Sequence, residues 1–123
     1  MNEQRLGSRL QQCNAYRTLL DAGIPLAFGS DCMPLGPLYG LHGAIAHPIA
    51  SERLTPATAW QLYTHASRAI ARGDRTGFSA HAPGPRVDFV VLDRDPLTTS
   101  DWQRLRVEAT IRGGAVIWSD LQR

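Results

Sequence analysis

Several features that would give a short chain an immediate reading are scarce here. Two cysteines occur in 123 residues, Cys13 and Cys32, without CxxC spacing. Two cysteines do not make a disulfide framework, so both are expected to be free thiols in a reducing compartment. No apolar stretch approaches the ~20 residues that span a bilayer, and residues 1–9 are polar, with no secretory hydrophobic region. The expectation is a cytoplasmic protein with no membrane partner. Runs of a single charge sign are also missing. The 13 basic and 11 acidic residues leave a net charge of +2, and the arginines are scattered from Arg5 to Arg123. A pI near 8.8 thus reflects a small surplus. A nucleic-acid groove needs a clustered basic stripe and is not expected. There is no internal repeat and no low-complexity tract.

What remains is an ordinary globular composition, 43% hydrophobic and 20% charged, in a length that allows one small domain with a modest core. Leu6, Leu10 and Cys13 fall at helical spacing, with Ser8 as a candidate cap, and so do Tyr16, Leu19 and Leu20. Gly23 suits the left-handed position that ends a helix. Residues 24–28, Ile-Pro-Leu-Ala-Phe, read as a short strand buried on both faces, ending in Gly29-Ser30-Asp31. Pro34, Gly36, Pro37 and Gly40 make 32–40 a loop, and a helix is expected over 41–47, stopped by Pro48. Thr55-Pro56 is a strong helix start, and Ala59, Leu62, Tyr63, Ala66, Ala69 and Ile70 supply the apolar face of a helix that Gly73 ends. Residues 77–85 are turn-rich, 88–92 read as the clearest strand, and Asp95-Pro96 closes it. Residues 107–112 and 115–118 flank Gly113-Gly114, which predicts a hairpin with a primed turn. A strand alternating with helices suggests an α/β barrel or doubly wound sheet, yet one strand makes neither. The expectation is the end of such a fold.

Asp31 is the sharpest chemical feature. It follows the apolar run at the point where a strand would give way to a Gly/Pro-rich loop. In (β/α) barrels the C-terminal strand ends carry the catalytic groups, and a carboxylate there can bind a metal ion or accept a proton from metal-bound water. Taken alone, an Asp after a strand is more often a turn former or helix cap.

The stretch 19–31, Leu-Leu-Asp-Ala-Gly-Ile-Pro-Leu-Ala-Phe-Gly-Ser-Asp, resembles the last barrel strand of the amidohydrolase superfamily. The resemblance continues through Glu52-Arg53-Leu54-Thr55, the helix bearing Tyr63-Thr64, then Gly84, residues 87–97 (Val-Asp-Phe-Val-Val-Leu-Asp-Arg-Asp-Pro-Leu), Thr110, Gly113-Gly114 and Val116. It covers nearly the whole chain in order, and its branch is similar to the long amidohydrolases acting on exocyclic amides and related C–N bonds. It implies an α/β architecture: the C-terminal segment of a (β/α) TIM-like barrel over 1–72, followed by part of a small composite β-sandwich over 73–123. It implies one site residue specifically. The Asp ending the eighth strand binds the catalytic metal and acts as general base toward the attacking water, and it matches Asp31. A divalent metal, zinc or a similar ion, is then expected only if the other ligands are supplied, and the parent enzyme's substrate is a small-molecule amide.

The other ligands of that family lie upstream: a His-x-His pair after the first strand, a carboxylated Lys or equivalent, and two later histidines. No His-x-His occurs here. A catalytic zinc site needs about three protein ligands, and a complete barrel takes about 250 residues. His42 and His47 are five apart and do not share a helix face in the i,i+4 manner. His42 follows the Asp31 loop and is a candidate to line a substrate pocket, with a helix-surface role as the plainer reading. Cys32, beside Asp31, is a second candidate for that pocket, or a buried bystander. His65 reads as exposed or packed. His81 lies in 79–86, where the sequence departs from the family's Leu/Glu-Pro-Gly turn, and Val87 replaces a small Ala. Asp88 matches an Ala-Asp motif and is read as structural. Trp60, Trp102 and Trp118 share no spacing and are taken as core or surface anchors. Two readings compete with a self-sufficient enzyme: a non-catalytic truncated relic, and a subunit that completes a split barrel with an N-terminal partner chain or as a homo-oligomer.

Overall fold

Gly23 ends a helix as its position predicts. Its φ of +72° carries the chain out of α2, Tyr16–Asp21, and its N–H returns to the Leu20 carbonyl at 2.9 Å. The computed structural model describes residues 2–30, 36–71, 88–99 and 101–120. The helix expected over residues 6–13 is instead a short α-helix, α1, Asn2–Leu6, running into a 3₁₀ turn, Gly7–Gln12. Gly7 takes φ +51°, which an α-helix cannot use, and the path tightens there. Ser8 lies inside that turn and caps nothing; the N-cap position is Leu6, with no side-chain hydrogen bond.

The run 24–30 forms no strand, which corrects the reading of 24–28. A strand exists by its ladder, and no other strand among the described residues lies beside it. The next helix begins earlier than expected. It is α3, Pro37–Ile45, with Pro37 in its first turn, where a missing N–H costs nothing and a fixed φ helps. The proline read as a loop signal is therefore a helix start, and the helix stops at Ala46, before His47.

Thr55 caps the next helix as expected, its Oγ1 accepting the Thr58 N–H at 3.1 Å. That helix is α4, Pro56–Gln61, then a π turn, Leu62–Ala66, then α5, Ser67–Ala71. Beyond it lies a three-stranded antiparallel sheet: β1, Phe89–Leu92; β2, Val107–Arg112; and β3, Ala115–Ser119, in that order. Gly113 and Gly114 have φ of +58° and +84°, the signature of the predicted primed turn. Asp88 is structural here: its carboxylate accepts the Gly113 N–H at 2.7 Å and ties the start of β1 to the hairpin. Asp93 closes the β1–β2 connection, accepting the Arg106 N–H at 3.0 Å and the Arg94 guanidinium at 2.8 Å.

Leu41 and Ala44 of α3, Leu54, Ala59, Leu62 and Ala66 form the core together with Trp102 and Leu105. Tyr16, Leu20, Leu26 and Phe28 pack against it. Trp102 opens a 3₁₀ turn, Trp102–Arg104, and lies with its ring centroid 6.0 Å from that of Trp60. The architecture is thus mixed helix and sheet, and among the described residues the sheet is antiparallel throughout. No described helix is long and apolar enough to cross a membrane.

Candidate functional site

Residues 24–30 are built by their packing and not by a ladder. Pro25, Ala27 and Gly29 are exposed while Leu26, Phe28 and Ser30 are half-buried, the period of two that an extended chain imposes. Leu26 and Phe28 lie against the core, and the odd positions face away from it. The reading of 24–28 as covered on both faces is therefore corrected: one side is open. Phe28 is the fixed point. Its N–H donates to the Leu62 carbonyl at 3.0 Å, its carbonyl accepts the Ser67 hydroxyl at 3.0 Å, and its ring meets Tyr16 and Tyr63 edge-on at 5.0 and 5.8 Å.

Of the residues singled out from sequence, Asp31, Cys32 and His81 lie outside the described residues. His42 is half-buried on α3, and its side chain makes no hydrogen bond or ion pair with the described residues. His65 lies in the π turn, its Nδ1 3.2 Å from the Thr64 hydroxyl, and with Trp60 and Arg68 it lines an open groove toward β1 and the hairpin. His42 is not on that groove. Cys13 is half-buried and unpaired with another cysteine. Among the described residues no group of three or more His, Cys, Asp or Glu could hold a metal ion.

The polar cluster that the structure does assemble was not legible in the sequence. Glu52 and His47 are both buried. The Glu52 carboxylate accepts the Thr18 hydroxyl, and its Oε2 accepts the Thr18 N–H at 3.0 Å, so it caps the first turn of α2 from 34 residues away. His47 Nδ1 accepts the Ile49 N–H at 3.1 Å, and its ring meets Tyr16 edge-on at 5.5 Å. Arg53 Nε donates to the His47 carbonyl at 2.8 Å, and Arg17 donates to the Arg53 carbonyl at 3.3 Å. This cluster seats α2, and α2 leads directly into 24–30. No local spacing links Thr18 to Glu52; the only sequence trace is an acidic residue inside a stretch that otherwise prepares a helix start.

The Thr18 hydroxyl, then the Thr18 N–H, hold the Glu52 carboxyl below its ordinary value of 4.5 against the opposing effect of burial. Asp93 is held down to about 2 from 3.8, first by the Arg94 hydrogen bond and then by the Arg106 N–H. Both folded values are depressed, so both groups stabilise the fold above their ordinary values and lose that contribution as pH falls through the folded ones. Acid destabilisation should therefore begin as pH drops below about 4.5 and continue toward about 2. Glu52→Gln should melt lower than the parent at pH 6, and the gap should close as acid protonates the parent. Thermal melts across that range check this; a gap that persists unchanged at pH 3 removes Glu52 from the acid limb.

Burial raises the Tyr16 phenol, with a smaller push from Tyr63. The Tyr63 hydroxyl is buried without a hydrogen-bond partner among the described residues. It lies against Gly40, where an added Cβ would come within 2.5 Å of it. Gly40→Ala should cost about 1–3 kcal/mol through overpacking, and Tyr63→Phe in the same chain should recover most of that by removing the oxygen. Urea melts of the two single variants and the double variant test the coupling, which is absent if the two costs simply add.

Residues 2–118 match the family model described as Amidohydrolase family. An imidazolonepropionase of Nocardia farcinica is 40% identical over 86 residues, covering 65% of this chain and 21% of its own length. An imidazolonepropionase of Rhodococcus jostii is 32% identical over 117 residues, 84% of this chain and 26% of its own. The putative amidohydrolase YtcJ of Bacillus subtilis is 30% identical over 129 aligned positions, 93% of this chain and 24% of its own. No solved structure matches. The chain spans about a quarter of the length of these relatives. With nearly every residue from α1 to β3 inside the match, the chain belongs to the amidohydrolase family.

Proposed function

We propose that this chain supplies the last-strand portion of a metal-dependent hydrolase of non-peptide C–N bonds, with Asp31 as its one carboxylate at the reaction centre. The observation that carries the reading is the alternation of 25–30. Its open side falls at positions 25, 27 and 29, and Asp31 shares their parity. Helices cover the other side, as they do a barrel strand. On this reading residues 1–72 end a (β/α) barrel, and residues 73–123, with their sheet, are part of a β-sandwich. His42 and Cys32 are the pocket candidates near that end.

A metal ion does not fit the described residues by themselves, which gather no three-ligand group. One carboxylate from Asp31 leaves about two ligands to come from elsewhere. Such an ion, when bound, supplies Lewis-acid polarisation and a more acidic water. What this chain contributes is an acceptor for a proton at the Asp31 carboxylate and a rigid seat for it. Two relatives are imidazolonepropionases and a third is named only as a putative amidohydrolase, so the substrate is proposed no more narrowly than a small-molecule amide or related C–N compound.

A second reading, a subunit completed by a partner chain, is favoured by a specific observation: the Leu26 and Ala27 backbones make no hydrogen bond among the described residues. Two measurements test the proposal. The dialysed chain alone should retain well under one equivalent of zinc. A tightly held equivalent, lost in Asp31→Asn, would show that the chain is a complete metal site. Co-expressed with an imidazolonepropionase lacking its own last quarter, the chain should restore hydrolysis, and Asp31→Asn should lower the rate by about 10²–10⁴-fold, the range for a lost general base. Restored activity that is indifferent to Asp31→Asn would remove Asp31 from the chemistry.

A further inference from the structure

We infer that the π turn Leu62–Ala66 is a register lock for the run 24–30, and that Ser67 is a positioning residue for the group presented at the end of that run. In an unbroken α-helix the Leu62 carbonyl would be taken by the N–H of Ala66, four residues on. The π turn breaks that pattern. The Leu62 carbonyl, within that turn, accepts the Phe28 N–H at 3.0 Å and the Ser67 hydroxyl at 2.9 Å. The same hydroxyl lies 3.0 Å from the Phe28 carbonyl, so its one proton is shared between two acceptors. Both backbone polar groups of Phe28 are thereby tied to one helix. The Thr64 hydroxyl, 2.8 Å from the Trp60 carbonyl, occupies a second acceptor along the same widened stretch.

A neighbouring strand normally sets register, and none among the described residues does so. A slip by one residue would seat Ala27 or Gly29 between Tyr16 and Tyr63 and would turn the open side of the run toward the helices. That slip is opposed by two hydrogen bonds and the Tyr63 ring from the helix and by the Tyr16 ring from α2, all made to Phe28. A π turn is one residue inserted into an α-helix, a feature concentrated at functional sites. Here it holds the carbonyl that accepts the Phe28 N–H. The purpose assigned to the lock, aiming a carboxylate at position 31, rests on the function proposed above; the lock itself does not.

Amide hydrogen exchange on the full chain tests it. In the unaltered chain Phe28 should be protected while Leu26 and Ala27 exchange freely; equal exchange of all three would overturn the inference without any variant. Ser67→Ala should speed Phe28 exchange about 5-fold, the loss of roughly one neutral hydrogen bond, with α4 unaffected. Ser67→Thr, which keeps the hydroxyl, should restore protection. Deleting Thr64 should return the helix to plain α geometry and release Phe28 more than 10-fold while helix content persists, since the residues after the deletion, Ser67 among them, turn by about 100° relative to the Leu62 carbonyl. Unchanged Phe28 protection in Ser67→Ala removes Ser67 from the lock. Mn²⁺ supplies the readout a merely structural role would not move. It should broaden the Gly29 and Ser30 amide signals in the parent and do so more weakly in Ser67→Ala. If the Phe28 results hold but the broadening ignores Asp31→Asn, the lock stands and the carboxylate reading falls.

Discussion

Trp102→Ala should cost about 3–5 kcal/mol, the range for truncating a large buried aromatic, and so should consume much of the ~5–15 kcal/mol that holds a small domain together. Trp102 is 1% exposed and is, with Leu41, one of the two largest fully buried side chains. It also carries a structural burden that Leu41 does not. Trp102 and Leu105 belong to the turn between β1 and β2, yet they sit in one core with Leu41, Leu54 and Leu62. Removing the indole therefore opens a cavity and cuts an attachment of the sheet to the helices. The companion variant gives the opposite expectation. The Trp102 Nε1 is buried without a hydrogen-bond partner among the described residues, so Trp102→Phe discards an unsatisfied donor along with part of the ring. It should cost well under half of what the alanine variant costs. Urea melts followed by circular dichroism measure both. Equal losses for Phe and Ala would mean that the indole N–H has a partner, such as a bound water, and that the donor matters.

The same comparison shows what the sequence held and what it did not. The hairpin was legible because its cause is local: two glycines between two β-type runs demand positive φ, and Gly113 and Gly114 have it. Thr55-Pro56 was legible for the same reason, a cap and a pre-set φ in adjacent residues. Pro37 was misread because a proline marks both a loop and a helix's first turn, and only the packing of Leu41 and Ala44 into the core decides between them. Residues 24–28 were read as a strand from an apolar run, but a strand needs a partner ladder, which no residue pattern inside the run supplies. The Glu52–Thr18 and Ser67–Phe28 contacts span 34 and 39 residues and follow from tertiary placement alone. At the candidate site, the family resemblance singled out Asp31, and the structure contributed the open and covered sides of the run leading to it.

The purified chain should self-associate, with a broad, low-temperature melt, and should sharpen to a cooperative transition when a partner supplies neighbouring strands. The run 24–28 has no ladder among the described residues. At the other end, β3 is, among the described residues, an edge strand exposed along its whole length, with Val116, Ile117 and Trp118 at 65%, 60% and 48% exposure and Phe89 of β1 at 51%. An apolar edge of this kind templates pairing with another chain. Natural edges are blunted by charge, and β3 carries none between Ala115 and Ser119. Ile117→Lys should therefore reduce association without removing the sheet, because Ile117 is solvent-exposed and packs into no core. A partner that binds only the folded chain stabilises it by mass action, about 4 kcal/mol at a thousandfold excess over its Kd. That is a large fraction of a small domain's stability, and it should appear as a melt that rises with partner concentration. Sedimentation velocity at several loadings, with and without Ile117→Lys, reads the first half; thermal melts with an N-terminal amidohydrolase piece read the second. A monodisperse monomer with a sharp transition at high temperature would show that these residues satisfy one another, and that neither the bare run nor the apolar edge requires a neighbour.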